Sequence, residues 1–150
     1  MNLKISPRSF KTATLLFVQF LCIAVLAFTG KVFPGNLYLG IIMFLSLILA
    51  LWSMIILRFH LNAAPEVLKG TTLKTKGPYK LIRHPIYTSL LMLCGVWIIN
   101  DFSYFRIFIM LVLFIDLILK LKTEEKFLNT EFPTYKEYMK KTKMLIPYIF

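Results

Sequence analysis

The chain has 150 residues, of which 58% are hydrophobic and 17% charged, and its mean hydropathy is +0.72. A soluble domain has about 25% charged and roughly 45–50% apolar residues, and a globule of this length cannot bury such an apolar excess, because it still exposes about 30% of its unfolded surface. The composition argues against disorder and against a cytosolic globular domain, and it indicates a chain whose main solvent is lipid. The net charge of +11 by itself would suit either nucleic acid or an anionic membrane surface. The hydropathy favours the membrane surface, because basic residues commonly flank long apolar runs there.

Four apolar segments follow one another along the chain, and we predict that each is a transmembrane helix. They cover about residues 12–30, 37–57, 85–100 and 102–119. The second would extend about 31 Å at about 1.5 Å per residue, close to the hydrocarbon thickness. Turn residues between the first and second segments, Pro34-Gly35, and a short turn at 100–103 predict two helical hairpins. The last two spans are short, so partial re-entry or local tilt is an alternative.

The basic residues predict the orientation of these hairpins. Sixteen of the 18 lie before residue 12, between 58 and 83, or after 119, which by the positive-inside rule places both termini and the middle loop in the cytoplasm. We therefore predict an all-α, multi-pass integral membrane protein with four spans and a cytosolic C-terminal helix, forming one domain over residues 1–150. Of the two exceptions, Arg106 is expected near the outer end of its span, extending to the interface.

Cysteine and histidine usage predicts neither a disulfide framework nor a metal site. Cys22 and Cys94 each lie inside an apolar run, and neither forms a C-x-x-C pair or a cluster with His60 and His84. Both cysteines are interpreted as small buried side chains.

Polar residues before the third span form the first place where chemistry could occur. Pro85 suits the first position of a helix, so His84 lies at or next to the N-cap, where unpaired N–H groups, together with Arg83, suit a carboxylate or phosphate. Tyr79 and Tyr87 could pack on a planar or cationic ligand. The alternative is a basic interfacial turn anchored by tyrosines.

A second polar stretch, residues 116–147, leaves the fourth span. Asp116, Lys120 and Glu124 are spaced i, i+4 and i+8, which places them on one helix face. An uncompensated carboxylate at position 116 would cost about 2.5–3.5 kcal/mol near the bilayer centre; Lys120 could compensate it, or it could face a wet pocket. The alternative for the stretch is a charged juxtamembrane helix on the surface.

Both polar stretches resemble a known family. GPY at 77–79 followed by RHPIY at 83–87 is similar to the signature of integral-membrane methyltransferases, which include the isoprenylcysteine carboxyl methyltransferases and the phospholipid methyltransferases. Further along, EE at 124–125 and the closing LIP at 145–147 also match. The similarity covers about residues 65–147, and the first hairpin matches only in hydropathy.

The resemblance implies S-adenosylmethionine as methyl donor, bound at the cytosolic face by segments 71–87 and 116–147. The acceptor would be a lipid-like or small hydrophobic molecule, either a carboxylate or an amine, arriving from the bilayer. Lys120 would be the catalytic, substrate-facing residue; carboxyl methyltransferases carry an arginine there, and lysine keeps the charge but loses the bidentate fork. The implied cofactor contacts are Thr71, Thr72, Leu73, Lys74, Tyr79, His84, Pro85, Ile86, Tyr87, Glu124 and Glu125.

Two other functions compete with this one. A small four-span transporter would place an ionisable residue within a span, and Asp116 is available for that role. A non-catalytic membrane partner protein derived from the same family is the other alternative.

Overall fold

The computed structural model describes residues 10–57, 73–147 and 149, and within this part of the chain every regular element is helical. The helices are α1 (Phe10–Phe28), α2 (Leu37–Ile56), α3 (Pro85–Asn100), α4 (Tyr104–Glu131) and α5 (Tyr135–Lys141), with a 3-10 turn at Gly77–Lys80. The predicted all-α class is confirmed for these residues. The predicted cofactor contacts Thr71 and Thr72, like His60, lie outside the described residues.

Helix bounds follow the predicted segments, with one extension. α3 begins and ends where the third apolar segment does. Pro85 can start the helix because the first helical position has no hydrogen-bond partner for an N–H group. α4 continues twelve residues beyond position 119, as one helix of 28 residues. The predicted fourth span and the charged residues up to position 131 therefore form one continuous helix. This helix carries Asp116, Lys120 and Glu124 at the regular i, i+4, i+8 spacing.

The two hairpin turns lie side by side at one end of the helices. The backbone N–H of Lys31 donates to a carboxylate oxygen of Asp101 at 3.2 Å, and the side-chain amide of Asn100 donates to the Lys31 carbonyl at 2.9 Å. Consistent with this, α1 packs against α4 and α2 packs against α3. The opposite end therefore holds the start of α3, the C-terminal half of α4 and α5.

Arg106 lies in the first turn of α4, near the end of the predicted span, but its side chain does not point outward. Its side chain is only 2% exposed and donates to the Trp97 carbonyl at 2.8 Å, so the expectation that it extends to the interface is wrong. The Trp97 carbonyl also accepts from the Asp101 N–H at 3.2 Å, and the guanidinium adds a second, charge-assisted hydrogen bond at the partly negative C-terminal end of α3. Arg106 also fills the space beside Gly30, where any Cβ would collide with it.

The core lies between α1, α3 and α4. It consists of Cys22, Leu26, Cys94, Trp97, Ile98, Leu113 and Leu117. Both cysteines are buried, as predicted, and both are free thiols.

α2 is the one described helix that is long and apolar enough to cross a membrane by length and composition. The described part of α1 after Phe10 and Lys11, and all of α3, are shorter apolar helices. Few residues of α2 are buried, although two serines, Ser46 and Ser53, are fully so. Small residues at such positions let neighbouring helices approach closely. The large apolar side chains that α2 leaves uncovered fit a lipid-facing surface.

Candidate functional site

The segment before α3 is held by the end of the chain. The N–H groups of Arg83 and His84 donate to the carbonyls of Lys143 and Met144 at 2.8 and 3.2 Å, and the N–H of Lys143 donates to the Leu81 carbonyl at 3.1 Å. These bonds form a short parallel pairing between residues distant in sequence. The backbone N–H of the α3 N-cap is therefore already satisfied.

A second set of contacts anchors the GPY turn. The Tyr138 hydroxyl on α5 donates to the Tyr79 carbonyl at 2.6 Å. Gly77 adopts φ +59° and lies against the end of α2, where an added Cβ would be 2.2 Å from Ile56 Cδ1. Only glycine takes this left-handed conformation without strain. The turn thus fixes Tyr79 against α5 on one side and α2 on the other.

Arg83 forms a buried ion pair with Glu125. Its Nε donates to Glu125 Oε1 at 2.6 Å, and the two side chains are 8% and 9% exposed. Its Nη1 donates to the carbonyls of Thr142 at 2.6 Å and Met139 at 3.3 Å. The structure therefore gives Arg83 internal partners in place of an external anion, and this residue joins α4, α5 and the segment before α3.

The same contacts set the ionisation of Glu125. Burial by itself raises the pKa of this carboxyl, but hydrogen bonds from His84 and Arg83, together with the charges of both groups, lower it below the ordinary value of 4.5. Glu125 is therefore an ionised carboxylate at neutral pH, with both contacts made by Oε1.

His84 lies between the two adjacent glutamates. Its Nε2 is 3.4 Å from Glu125 Oε1, and its Nδ1 is 3.8 Å from Glu124 Oε2. On the other side, the Tyr87 hydroxyl donates to Glu124 Oε2 at 3.4 Å, and the Tyr87 ring is 5.8 Å from the imidazole. Because Glu124 is 31% exposed at its side chain while His84 is buried, Glu124 presents the open carboxylate of this group.

Tyr79 joins this group electrostatically. Its side chain is buried, and burial together with the charge of Glu124 raises the pKa of its phenol well above the ordinary value. Tyr79 is therefore a neutral hydroxyl at physiological pH. The structure thus brings together four residues singled out from the sequence: Tyr79, His84, Tyr87 and Glu124, which we call the Glu124 cluster.

The remaining predicted contacts have other surroundings. Pro85 and Ile86 form the first turn of α3 directly after His84. Leu73 and Lys74 are partly buried residues of the irregular segment that leads to the 3-10 turn.

Lys120 lies inside the helix bundle. It is only 1% exposed, its ammonium donates to the Gln19 side-chain oxygen on α1, and its Nζ is 5.6 Å from the centre of the Tyr87 ring. Gln19 was not singled out from the sequence. An amide in a charge-free apolar run was the available signal, since such a group needs a buried partner.

Asp116 lies one turn before Lys120. It is 4% exposed, and neither of its carboxylate oxygens has a hydrogen-bond partner among the described residues. No direct ion pair joins Asp116 to Lys120 either, so the expected compensation by Lys120 is at most long-range.

An apolar groove runs between α3, α4 and the C-terminal segment. Its volume is about 650 Å³, and it is lined by Thr88, Leu91, Met92, Phe114, Leu145 and Ile146. Its Thr88 hydroxyl donates to the Leu145 carbonyl at 2.8 Å, which joins α3 to the C-terminal segment. Within the described ranges, no three His, Cys, Asp or Glu side chains are grouped as metal ligands would be.

Comparison with known proteins gives two results. A family model described as phospholipid methyltransferase matches residues 36–135, which include His84 and Glu124. The cobalt-zinc-cadmium resistance protein CzcN of Cupriavidus metallidurans is 32% identical over 80 residues, which are 53% of this chain and 37% of that protein. The matched region therefore spans little more than a third of this curated relative.

Proposed function

The chain belongs to the phospholipid methyltransferase family, and we propose that it transfers a methyl group from S-adenosylmethionine to a lipid-like or small hydrophobic acceptor. The observation that carries this proposal is the convergence of His84 and Tyr87 on the partly open carboxylate of Glu124, at 3.8 and 3.4 Å. These residues come from two segments about 40 positions apart, both containing the motifs that resemble membrane methyltransferases. Reaction at the cytosolic membrane face is part of the proposal.

The donor and acceptor groups of the cluster suit this cofactor. The open carboxylate of Glu124 can accept hydrogen bonds from ribose hydroxyls or from the ammonium of the methionyl part. The aromatic faces of Tyr79 and Tyr87 can stabilise a neighbouring cation such as a sulfonium. S-adenosylmethionine supplies an electrophilic methyl group when bound, and the acceptor provides the electron pair.

The remaining predicted residues complete the proposed site. Glu125 orients His84 through the 3.4 Å contact, and Arg83 holds Glu125 in place. Lys120 stays our proposed substrate-facing residue. We also retain, on the resemblance, the following cofactor contacts: Thr71, Thr72, Leu73, Lys74, Pro85 and Ile86.

The protein's share of catalysis would be positioning and water exclusion. Attack needs the acceptor atom about 3–3.5 Å from the methyl carbon and in line with the leaving sulfur. A carboxylate acceptor would need no base, whereas an amine would first have to lose a proton. The backbone pairing of residues 143–144 with residues 83–84 covers His84 and would help to keep water away.

We also propose that α1 to α4 are four spans with both termini in the cytoplasm. The contacts between the hairpin turns support this, because they place Lys31 and Asp101 together at one end. α3 would extend only about 24 Å at about 1.5 Å per residue, so local thinning of the bilayer would accompany it. Single cysteines introduced by Gly35→Cys and by Lys141→Cys, each in its own variant, should react with a membrane-impermeant maleimide added on opposite sides of the membrane. Reaction of both from the same side would refute the topology.

The decisive experiment measures binding of S-adenosylmethionine to purified protein by isothermal titration. We expect His84→Ala and Glu124→Gln each to weaken binding at least about tenfold, because each removes a contact to a charged or polar group. Glu131→Gln is the matched control, since Glu131 is an exposed glutamate on the same helix. Unchanged affinity in both site variants would refute the site. A separate experiment identifies the acceptor: membranes are incubated with methyl-labelled S-adenosylmethionine, and the labelled product is extracted and analysed.

One observation favours a second candidate function. Asp116 is a buried carboxylate within a proposed span, and transporters place ionisable groups there. Proton-coupled uptake into vesicles that disappears in Asp116→Asn, without any bound methyl donor, would support a transporter. A protein that retains neither donor nor transport activity would instead fit the non-catalytic partner.

A further inference from the structure

We propose that Asp116 is a specificity-determining residue whose carboxylate binds an N–H or O–H group of the acceptor, on the membrane side of the Glu124 cluster. The inference rests on the proposed methyl transfer, since it assigns a subsite for the molecule that receives the methyl group. It goes beyond that function by stating what the acceptor must carry.

The first observation is the unsatisfied state of Asp116. The residue is only 4% exposed, and both carboxylate oxygens are without a hydrogen-bond partner in the described part of the chain. Burying a polar group without a partner is costly, and far more so for a charge. Buried polar side chains are therefore nearly always satisfied by protein, water or a ligand. A donor group on the acceptor would supply the missing partner.

The second observation explains why Lys120 does not fill this role. An ion pair at i, i+4 is sterically available on any helix, yet the Lys120 ammonium donates to Gln19 on α1 and stands over the Tyr87 ring. Gln19 thus holds the ammonium away from the carboxylate. Asp116 and Lys120 interact at longer range, which leaves the carboxylate oxygens available to another donor.

The third observation is the position of Asp116 relative to the Glu124 cluster. Eight residues separate Asp116 from Glu124 on one straight helix, which is about 12 Å along its axis. Tyr87 connects the two levels, because its hydroxyl contacts Glu124 and its ring faces Lys120. Asp116 is also close enough to interact electrostatically with Tyr87. The carboxylate therefore lies about two helical turns from Glu124 along α4, on the side from which a lipid-like acceptor would come.

The surroundings of Asp116 strengthen any hydrogen bond made there. Leu113 and Leu117 on the same helix are fully buried in the apolar core, and Cys22 on α1 is near enough to sense the carboxylate charge. In such a low-dielectric environment a hydrogen bond to a charged group is stronger than in water. A molecule that offers only acceptor oxygens would leave the carboxylate unsatisfied and would be disfavoured.

The test measures binding of three twelve-carbon probes to the protein in nanodiscs, with empty nanodiscs subtracted. Dodecylamine carries an ammonium, dodecanol a hydroxyl, and methyl dodecanoate only acceptor oxygens. We expect dodecylamine or dodecanol to bind at least about tenfold more tightly than the ester, the magnitude of a hydrogen bond to a charged group. The preferred probe distinguishes an ammonium from a hydroxyl donor. Equal binding of all three probes would overturn the proposal.

Variants separate this subsite from the cofactor site. Asp116→Asn should weaken the preferred probe about tenfold, should not weaken binding of the ester, because the new amide can donate to its oxygens, and should keep the affinity for S-adenosylmethionine. Asp101→Asn, the same change at the other end of the bundle, should alter none of these. Gln19→Leu should also weaken the preferred probe, because it frees Lys120 to pair with Asp116. Wild-type probe binding in both Asp116→Asn and Gln19→Leu would overturn the inference. Loss of donor selectivity alone would leave the proposed function intact. Absent S-adenosylmethionine binding would refute the proposed function and, with it, the assignment of this subsite to a methyl acceptor, even if the probes still showed donor selectivity.

Discussion

Replacing the buried Arg83 by methionine should strongly destabilise the end of the bundle at which α3 begins. Arg83 makes three charge-assisted contacts: one to Glu125 at 2.6 Å and two to the carbonyls of Thr142 and Met139 at 2.6 and 3.3 Å. The variant would leave the Glu125 carboxylate buried beside His84 alone. Breaking a buried ion pair from one side costs about 3–5 kcal/mol.

That free energy corresponds to a large shift in thermal stability. For a chain of this size about 1 kcal/mol lowers the melting temperature by roughly 2–4 °C, so Arg83→Met should lower it by about 6–20 °C. The assay is the fraction of detergent-solubilised protein that stays monodisperse in size-exclusion chromatography after heating. Lys126→Met, which removes an exposed cation next to Glu125 on α4, should shift the melting temperature by less than about 2 °C.

A double variant separates the ion pair from the simple loss of side-chain contacts. Arg83→Met combined with Glu125→Leu removes both charges, and replacing a buried pair by apolar residues is often close to neutral. We therefore expect the double variant to be more stable than Arg83→Met alone. A melting temperature for Arg83→Met within about 2 °C of the wild type would refute the reasoning, as would a double variant that is no more stable than Arg83→Met.

Three further predictions concern the contacts that hold the site. Gly77→Ala should lower the melting temperature by several degrees, because a left-handed φ costs about 1–2 kcal/mol for any other residue and the new Cβ would approach Ile56 Cδ1. Tyr138→Phe should lose about 0.5–1.5 kcal/mol with the bond to the Tyr79 carbonyl; since burial raises the pKa of Tyr138 to about 12, this difference should be the same at pH 7 and pH 10. The lowered pKa of Glu125 stabilises the fold above its ordinary value of 4.5, and this contribution should be lost as the pH falls through the native pKa.

Matched variants make these predictions specific. Gly40→Ala should be neutral or stabilising, because no heavy atom lies within 4 Å of the added Cβ and alanine is the better helix former. Gly77→Ala behaving like Gly40→Ala would contradict the assigned turn geometry. A Tyr138→Phe deficit that vanishes at pH 10 would contradict the raised pKa. Glu125→Gln should flatten the acid side of the stability profile, and an unchanged profile would show that Glu125 is not the group responsible.

Local sequence accounts for the helices of this protein. Apolar runs bounded by turn residues predicted α1 to α3 to within a few residues, and Pro85 marked the start of α3. These features are readable because a helix closes its hydrogen bonds four residues apart, so that nearby residues decide its bounds. The motif residues His84, Tyr87 and Glu124 were recognisable for a different reason, since their types and spacing resemble a family.

Partnerships between side chains were not readable in this way. Arg83 was expected to help bind an anion, yet it pairs with Glu125, 42 residues later. Arg106 was expected to reach the interface, yet α3 provides a carbonyl for it inside the bundle. Lys120 contacts Gln19, 101 residues earlier, and no pattern in either apolar run indicates that pairing.

Composition and hydrophobic periodicity were thus sufficient for an all-helical, lipid-facing chain, because each depends on interactions within one segment or with the solvent. Packing decided which buried charges have partners in the protein. A partner must place a donor or acceptor atom within about 3 Å of the charged group, and the neighbouring helices determine which atoms lie that close. That is why Asp116, readable as a carboxylate in an apolar run, could be recognised as unpartnered only once α1 and α4 were seen side by side.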